Sequence, residues 1–345
     1  MREIVTETVA RMAAPASEER GMAAVALGNL VAHDRFVAEW TCFNTIELVG
    51  PDRPAAPGNE IVVAAWNMGR CKRVEAAADL IRASGADVVL ASELDHGMAR
   101  SGQRHTAHDL AEQLGFGYAF GVEFVELGLG DAAEARACVG MSNRHGLHGN
   151  AILSRWPLED AALIPLDSGG GWFGSAAARN GPHRIGGRMA LAARILTAAG
   201  PLTLVSTHFE VRGDPRVRAA QAETLLAGLL NAYPSGPTVI GGDLNTRALL
   251  QGGTTAAEAL ARPERIEHAF GRFAAQGFGW KTSNCFQGTA RVPDPSGPDA
   301  PLLPLDWILV RKAVASAPFM VPALAPGGDI LSDHALVGAR IHVSA

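Results

Sequence analysis

Cysteine is scarce in this chain. Cys42, Cys71, Cys138 and Cys285 stand far apart and make no CxxC pair. They offer no disulfide framework and read as core thiols of a protein kept in a reducing compartment. Long apolar runs are also missing. The richest stretch, Ala313 to Ala325, is broken by Pro318 and Pro322, so no segment reaches the ~18 apolar residues of a membrane span. The first residues, MREIVTETVARM, carry acids early and lack the apolar core of a secretory signal. The expected location is therefore the cytoplasm. Positive charge is in deficit: 30 Lys and Arg against 35 Asp and Glu leave a net charge of −5. No basic run with interleaved aromatics occurs, which counts against duplex nucleic acid as the favoured partner without excluding it. What is present is apolar mass. Of 345 residues, 48% are hydrophobic and 19% charged, enough to bury the core of one large α/β domain or two small ones.

The apolar pattern changes character along the chain. Val5, Val9 and Met12 recur at helical spacing, and Met22 to Val31 is a second apolar-rich run. Pro51, Pro54, Pro57 and Gly58 then interrupt it. Residues 1–58 are read as an N-terminal helical extension and 59–345 as the main domain. From Glu60 short apolar runs alternate with amphipathic stretches. Ile61–Trp66 reads as a strand, Val74–Ala83 as a helix stopped by Gly85, and Asp87–Ala91 as a buried strand, a βαβ-like unit. Further strands are expected at 151–154, 189–196, 202–207, 238–241, 307–310 and 335–341. Helices are expected at 108–114 and at 216–232, the latter capped by Asp214. Two loops are long, Gly-rich 168–187 and Pro- and Asp-rich 289–304, and loops of that length are usually functional or disordered.

Polar residues recur where strands end. Asn67 ends VVAAWN, Glu93 ends VVLASE, His208 ends LTLVSTH, and Asp243 and Asn245 follow TVIGG. Asp306 precedes WILV, and Asp333 and His334 precede ALVGARI. A lone aspartate there is usually a turn former or helix cap, and a lone histidine usually a satisfied core or surface residue. The whole set at the strand ends of an α/β sheet, where sites are built, is hard to explain as turns. Oxygen donors such as Glu93, Asn67 and Asp333 suit Mg²⁺ or Mn²⁺ rather than zinc. Histidines with carboxylate partners suit acid–base work on water.

The motifs WN, SELD, GNAILSR, STHFE, GGDLN, LDWILV and SDHA, in this order from about residue 60 to 342, resemble those of the endonuclease/exonuclease/phosphatase superfamily. The resemblance implies a four-layer α/β sandwich of two packed mixed β-sheets flanked by helices, DNase I-like. It also implies Mg²⁺-dependent hydrolysis of a phosphoester by direct attack of water. It makes Glu93 the principal metal ligand with Asn67 beside it and Asp333 metal-proximal. Asp243 would orient or deprotonate the water, with Asn245 supporting it or the phosphate. His334 would bind phosphate or orient the nucleophile, with Asp306 as its carboxylate partner, and His208 would steady a phosphate oxygen or the leaving group. Asn150 would be a further phosphate contact, or simply shape the turn before its strand. Arg184 and Arg188, beside the Gly-rich loop with Arg179 and His183, either face an anionic substrate or belong to a solvated loop; His148, with Arg144 and His145, either reaches phosphate or a second metal or belongs to a solvated loop. Nucleases of this group often carry a tyrosine at the site, and only Tyr118 and Tyr233 occur here. Three readings stand: a phosphoesterase for a small molecule or lipid head group, a DNA or RNA nuclease, and a relative using the fold for binding or other chemistry. Trp172 and Phe173 would roof a compact pocket or touch a membrane surface.

Overall fold

Strand Glu60–Arg70 sets the layering. Its side chains alternate, as a pleated strand requires: Ile61, Val63 and Ala65 enter one apolar cluster while Ala64 and Trp66 enter another. The computed structural model describes residues 2–51, 57–167, 169–174, 182–250, 256–291 and 302–344. Pro54, Arg179 and parts of the two long loops, 168–187 and 289–304, lie outside the described residues.

In chain order the strands are β1 (Thr8–Val9), β2 (Ile46–Val49), β3 (Glu60–Arg70), β4 (Val88–His96), β5 (Gly117–Glu126), β6 (Leu147–Ser154), β7 (Glu159–Pro165), β8 (Arg184–Gly186), β9 (Met189–Thr197), β10 (Gly200–His208), β11 (Thr238–Asp243), β12 (Asp306–Arg311), β13 (Val314–Val321) and β14 (Leu336–His342). The helices are α1 (Ser17–Val25), α2 (Leu30–Glu39), α3 (Val74–Ser84), α4 (Thr106–Leu114), α5 (Ala132–Ala137), α6 (Gly171–Gly174), α7 (Pro215–Ala232), α8 (Ala256–Ala261) and α9 (Ala269–Ala275).

Two mixed sheets result. The larger runs β1-β2-β5-β6-β4-β3-β14-β13, with β8 added on β5, and the smaller runs β12-β11-β10-β9-β7. Parallel pairs arise where a helix carries the chain back: β3–α3–β4 in the larger sheet and β10–α7–β11 in the smaller. Asp214 caps α7 by accepting from the backbone N–H groups of Arg216 and Val217, satisfying donors that have no partner within the helix. The sheets face each other across Val63, Leu90, Ile152, Leu191, Leu204 and Val239. Trp66, Val89 and Leu153 on the other face of the larger sheet pack with α3 and α4, while Val205, Ile240 and Leu309 pack with α7 and α9. The order is thus helix, sheet, sheet, helix, the expected four-layer sandwich.

The N-terminal segment departs from its helical spacing. Val5 bridges to Leu163, and Thr8–Val9 pairs in parallel with β2, which in turn pairs with β5. Helix begins only at Ser17, after Pro15, which disfavours helical geometry in the residue before it. A free sheet edge supplies backbone partners to residues 8–9, and this outweighs the apolar spacing of Val5, Val9 and Met12. Among the described residues no helix is long and apolar enough to cross a membrane.

Candidate active site

The sheet register assembles the site. The parallel pairing of β10 with β11 sets His208 opposite Asp243, and the antiparallel pairing of β11 with β12 sets Asp243 opposite Asp306. Three chemistry-bearing residues thus stand in one row across the smaller sheet. The larger sheet faces this row with Asn67 from β3 and His334 from the turn before β14. Trp66 Nε1 donates to the His334 carbonyl at 3.0 Å, and Ser332 Oγ donates to the Asn67 carbonyl at 2.7 Å. β10 and β11 approach closely at Gly242. Its φ is +146°, and a Cβ there would lie 1.9 Å from the Thr207 carbonyl oxygen, so no larger side chain fits beside Asp243.

Asp243 is the centre. Its Oδ1 accepts from the Asn245 backbone N–H at 2.8 Å, and its Oδ2 accepts from Asn67 Nδ2 at 3.1 Å. His208 Nε2 and His334 Nε2 stand 3.5 and 3.7 Å from that same Oδ2. Asn245, at φ +50°, donates its side-chain amide to the Phe209 carbonyl, which locks the turn. His334 Nδ1 lies 2.8 Å from Asp306 Oδ2, which also accepts from Thr289 Oγ1 at 2.6 Å.

Burial sets the charges. It pushes the Asp243 carboxyl up to about 6, against the pull of His334. Burial alone would lower the His334 imidazole, but the carboxylates of Asp306 and Asp243 outweigh it and raise it to about 10. His208, buried beside Arg188, is driven well below its ordinary value and is neutral. At neutral pH the site therefore holds a carboxylate, an imidazolium and a neutral imidazole. Asp306 Oδ1, Asn150 Oδ1, Glu123 Oε2 and His208 Nδ1 are buried without a hydrogen-bond partner, and buried atoms of this kind call for a ligand, ion or water.

A ring of buried ion pairs borders this centre. Arg188 joins Glu123 at 3.0 Å and Glu210 at 3.3 Å, and Arg184 joins Glu126 at 2.8 Å. Arg100 grips Asp95 through two 2.8 Å bonds and reaches Glu134 at 2.9 Å. His148 Nδ1 lies 2.8 Å from Asp95 Oδ1. Arg184, Arg188 and His148 are thus buried rather than parts of solvated loops. Sequence reasoning passed over Arg70, Asp95, Arg100, Glu123, Glu126 and Glu134. The available signal was GVEFVEL, where Glu123 and Glu126 interrupt an apolar run. β5 is buried along its whole length, and acids in such a strand need cationic partners.

Not every anticipated residue joins the centre. Glu93 follows Ser92, the register partner of Asn67, but its carboxylate holds the Arg70 guanidinium. Asp333 is exposed beside His334. Asp243, Asp306 and His334 bring ligand atoms within 4.8 Å of one another. The oxygen donors of Asp243, Asp306, Asn67 and Glu93 fit a hard divalent cation in kind, with Arg70 having to release Glu93. Trp172 and Phe173 do not form an exposed pair. Phe173 is 1% exposed in the core, and Trp172 Nε1 donates to Glu210 at 3.1 Å.

Two packed mixed sheets with this carboxylate–histidine cluster at the strand ends define a DNase I-like α/β protein. A profile of the Endonuclease/Exonuclease/phosphatase family matches residues 64–334, and the chain belongs to that family. Its members are hydrolases of phosphoester bonds that generally use a divalent metal. The fold is similar to that of an endonuclease/exonuclease/phosphatase from Beutenbergia cavernae, with 17% identity and a TM-score of 0.52 over 83% of this chain and 72% of that one. A Bacteroides vulgatus protein of the same description gives 17% and 0.52 over 83% and 99%. D. rerio TDP2 in complex with a single-strand DNA product gives 14% and 0.51 over 82% and 99%. No curated protein matches the sequence.

Proposed function

We propose that the chain is a Mg²⁺-dependent phosphoesterase, with Mn²⁺ as a substitute, that hydrolyses a compact phosphate ester of a small molecule or lipid head group. One observation carries this reading: the buried Asp243 carboxylate, one oxygen fixed by the Asn245 N–H, the other approached by Asn67, His208 and His334 at 3.1, 3.5 and 3.7 Å. Asp243 takes the proton of the attacking water, a role suited to a carboxyl near 6 at neutral pH. His334, cationic and braced by Asp306, holds a phosphoryl oxygen and steadies the charge that builds on it. His208 orients Asp243 through Nε2, and its Nδ1, 3.9 Å from Glu123 Oε2 and without a hydrogen bond, is offered to the substrate. Asn150 offers its unpartnered Oδ1, and Arg188, Arg184 and His148 set the field behind the phosphate.

Glu93 and Asn67 are the oxygen donors assigned to the cation, with Asp333 at its periphery. Bound there, the cation supplies neutralisation of phosphoryl oxygens. A compact substrate is favoured because Arg184 and Arg188 are 6% and 4% exposed and already paired with carboxylates, unlike an exposed basic groove that tracks a polynucleotide. The single-strand DNA product held by D. rerio TDP2 makes nucleic acid the competing substrate. Hydrolysis of bis-p-nitrophenyl phosphate, p-nitrophenyl phosphate and plasmid and single-stranded DNA, with and without Mg²⁺ or Mn²⁺ and with Asp243→Asn as blank, decides between them. Metal-dependent cleavage of the small esters alone is expected. DNA cleavage abolished by the substitution would move the protein to the nucleases.

A further inference from the structure

A second cluster of ligating side chains lies on the other face of β4. The register of β4 against β6 shifts between Ala91 and Leu94, after which Leu94 enters the helix-side core while Asp95 joins Arg100. His96, two residues beyond Leu94, shares the helix-side face. The hairpin that follows, closed by Gly97 N–H to the Arg104 carbonyl at 2.9 Å, bridges His96 to His105. Their rings stack with centroids 3.9 Å apart, and His145 stands edge-on to His96 at 4.7 Å. Glu47 of β2 completes the set with Oε1 3.0 Å from His105 Nε2.

We infer that Glu47, His96 and His105 form a binding site for a transition-metal dication of the zinc class, separate from the phosphoester site. Each offers a ligand atom, and those atoms lie within 4.8 Å of one another. His96 is 7% exposed, and its Nδ1 is buried without a hydrogen-bond partner. Two imidazoles and a carboxylate select zinc, cobalt or nickel over magnesium. Glu47 is kept in place by the Met12 backbone N–H and the Tyr118 hydroxyl, both of which donate to it. The ion ties β2, from the segment preceding residue 59, to β4 and the start of α4. It therefore clamps the N-terminal segment onto the catalytic sheet, and its binding energy adds to folding stability.

The test titrates Zn²⁺ calorimetrically into the full chain with excess Mg²⁺ present. One equivalent is expected to bind, at least tenfold more weakly in Glu47→Gln and His96→Gln, and unchanged in Asp306→Asn. Zn²⁺ is also expected to raise the Tm of the unsubstituted chain more than that of either cluster variant. Co²⁺ in the unsubstituted chain reads the ligands directly, through d–d absorption and paramagnetically shifted imidazole resonances, and decides the matter if a cluster variant fails to fold. No Zn²⁺ uptake, a Co²⁺ spectrum without imidazole ligation, or uptake lost in Asp306→Asn but kept in His96→Gln overturns the inference.

Discussion

Replacing Asp306 by asparagine keeps the shape of its side chain and removes one charge from beside His334. The Nδ1 to Oδ2 distance is 2.8 Å, and the imidazole is raised from 6.5 to about 10 although burial alone would lower it. At an effective dielectric of ~20, a unit charge pair at such range is worth on the order of 4 kcal/mol. At 1.36 kcal/mol per pKa unit that is about three units. Asp306→Asn should therefore bring His334 down to about 7, leaving Asp243 and Asp333 as its remaining carboxylate neighbours. The raised imidazole stabilises the native state fully below 6.5, and that contribution is lost as pH rises through about 10. The substitution should move this loss down to near neutrality. NMR titration of the imidazole resonances, with urea unfolding from pH 6 to 10, measures both effects. The alkaline limb of the pH–rate profile should move with the imidazole, and the acid limb, near 6, reports the Asp243 carboxyl. A His334 that still titrates above about 9 in Asp306→Asn would refute the pairing as the cause.

Other outcomes follow from the same geometry. Asp243→Asn should lower turnover by more than about a hundredfold, as loss of a general base does, and near-normal hydrolysis would remove Asp243 from that role. Glu93→Gln should raise the Mg²⁺ concentration needed for half-maximal rate by about tenfold or more, the order of effect that loss of a metal-site group has, and an unchanged titration would contradict its assignment to the cation. Gly242→Ala forces a Cβ to within 1.9 Å of the Thr207 carbonyl oxygen, and calorimetry should show a lower Tm together with a lower rate, because β11 carries Asp243. Arg218→Met strips the buried partner from Glu267, held at 2.6 and 2.9 Å. Urea unfolding should show a loss of about 3–5 kcal/mol, largely recovered when Glu267→Met is added.

Much of the molecule was legible in the sequence because strand ends carry periodic and local signals. Runs such as DVVLA and TVIGGD announce buried strands by composition, and the polar residue at each end is fixed by chain position alone. Asn67, His208, Asp243, Asp306 and His334 were therefore readable as one set before any fold was known, as were α3 by its amphipathic pattern and α7 by its Asp214–Pro215 start. What the linear chain does not encode locally is which sheet edge lies open and which charges meet. Val5, Val9 and Met12 have helical spacing, yet an unpaired edge of β2 draws residues 8–9 into the sheet. The partners Arg184 with Glu126, Arg70 with Glu93 and Glu47 with His105 are separated by 58, 23 and 58 residues. Such long-range pairings are decided by strand register and by the need to neutralise charges once they are buried. Composition and period marked the strands and the residues at their ends, and the four layers followed from the family resemblance of the motifs. Only the packing of two sheets decided which of those residues share one proton-handling cluster and which are held apart by an arginine.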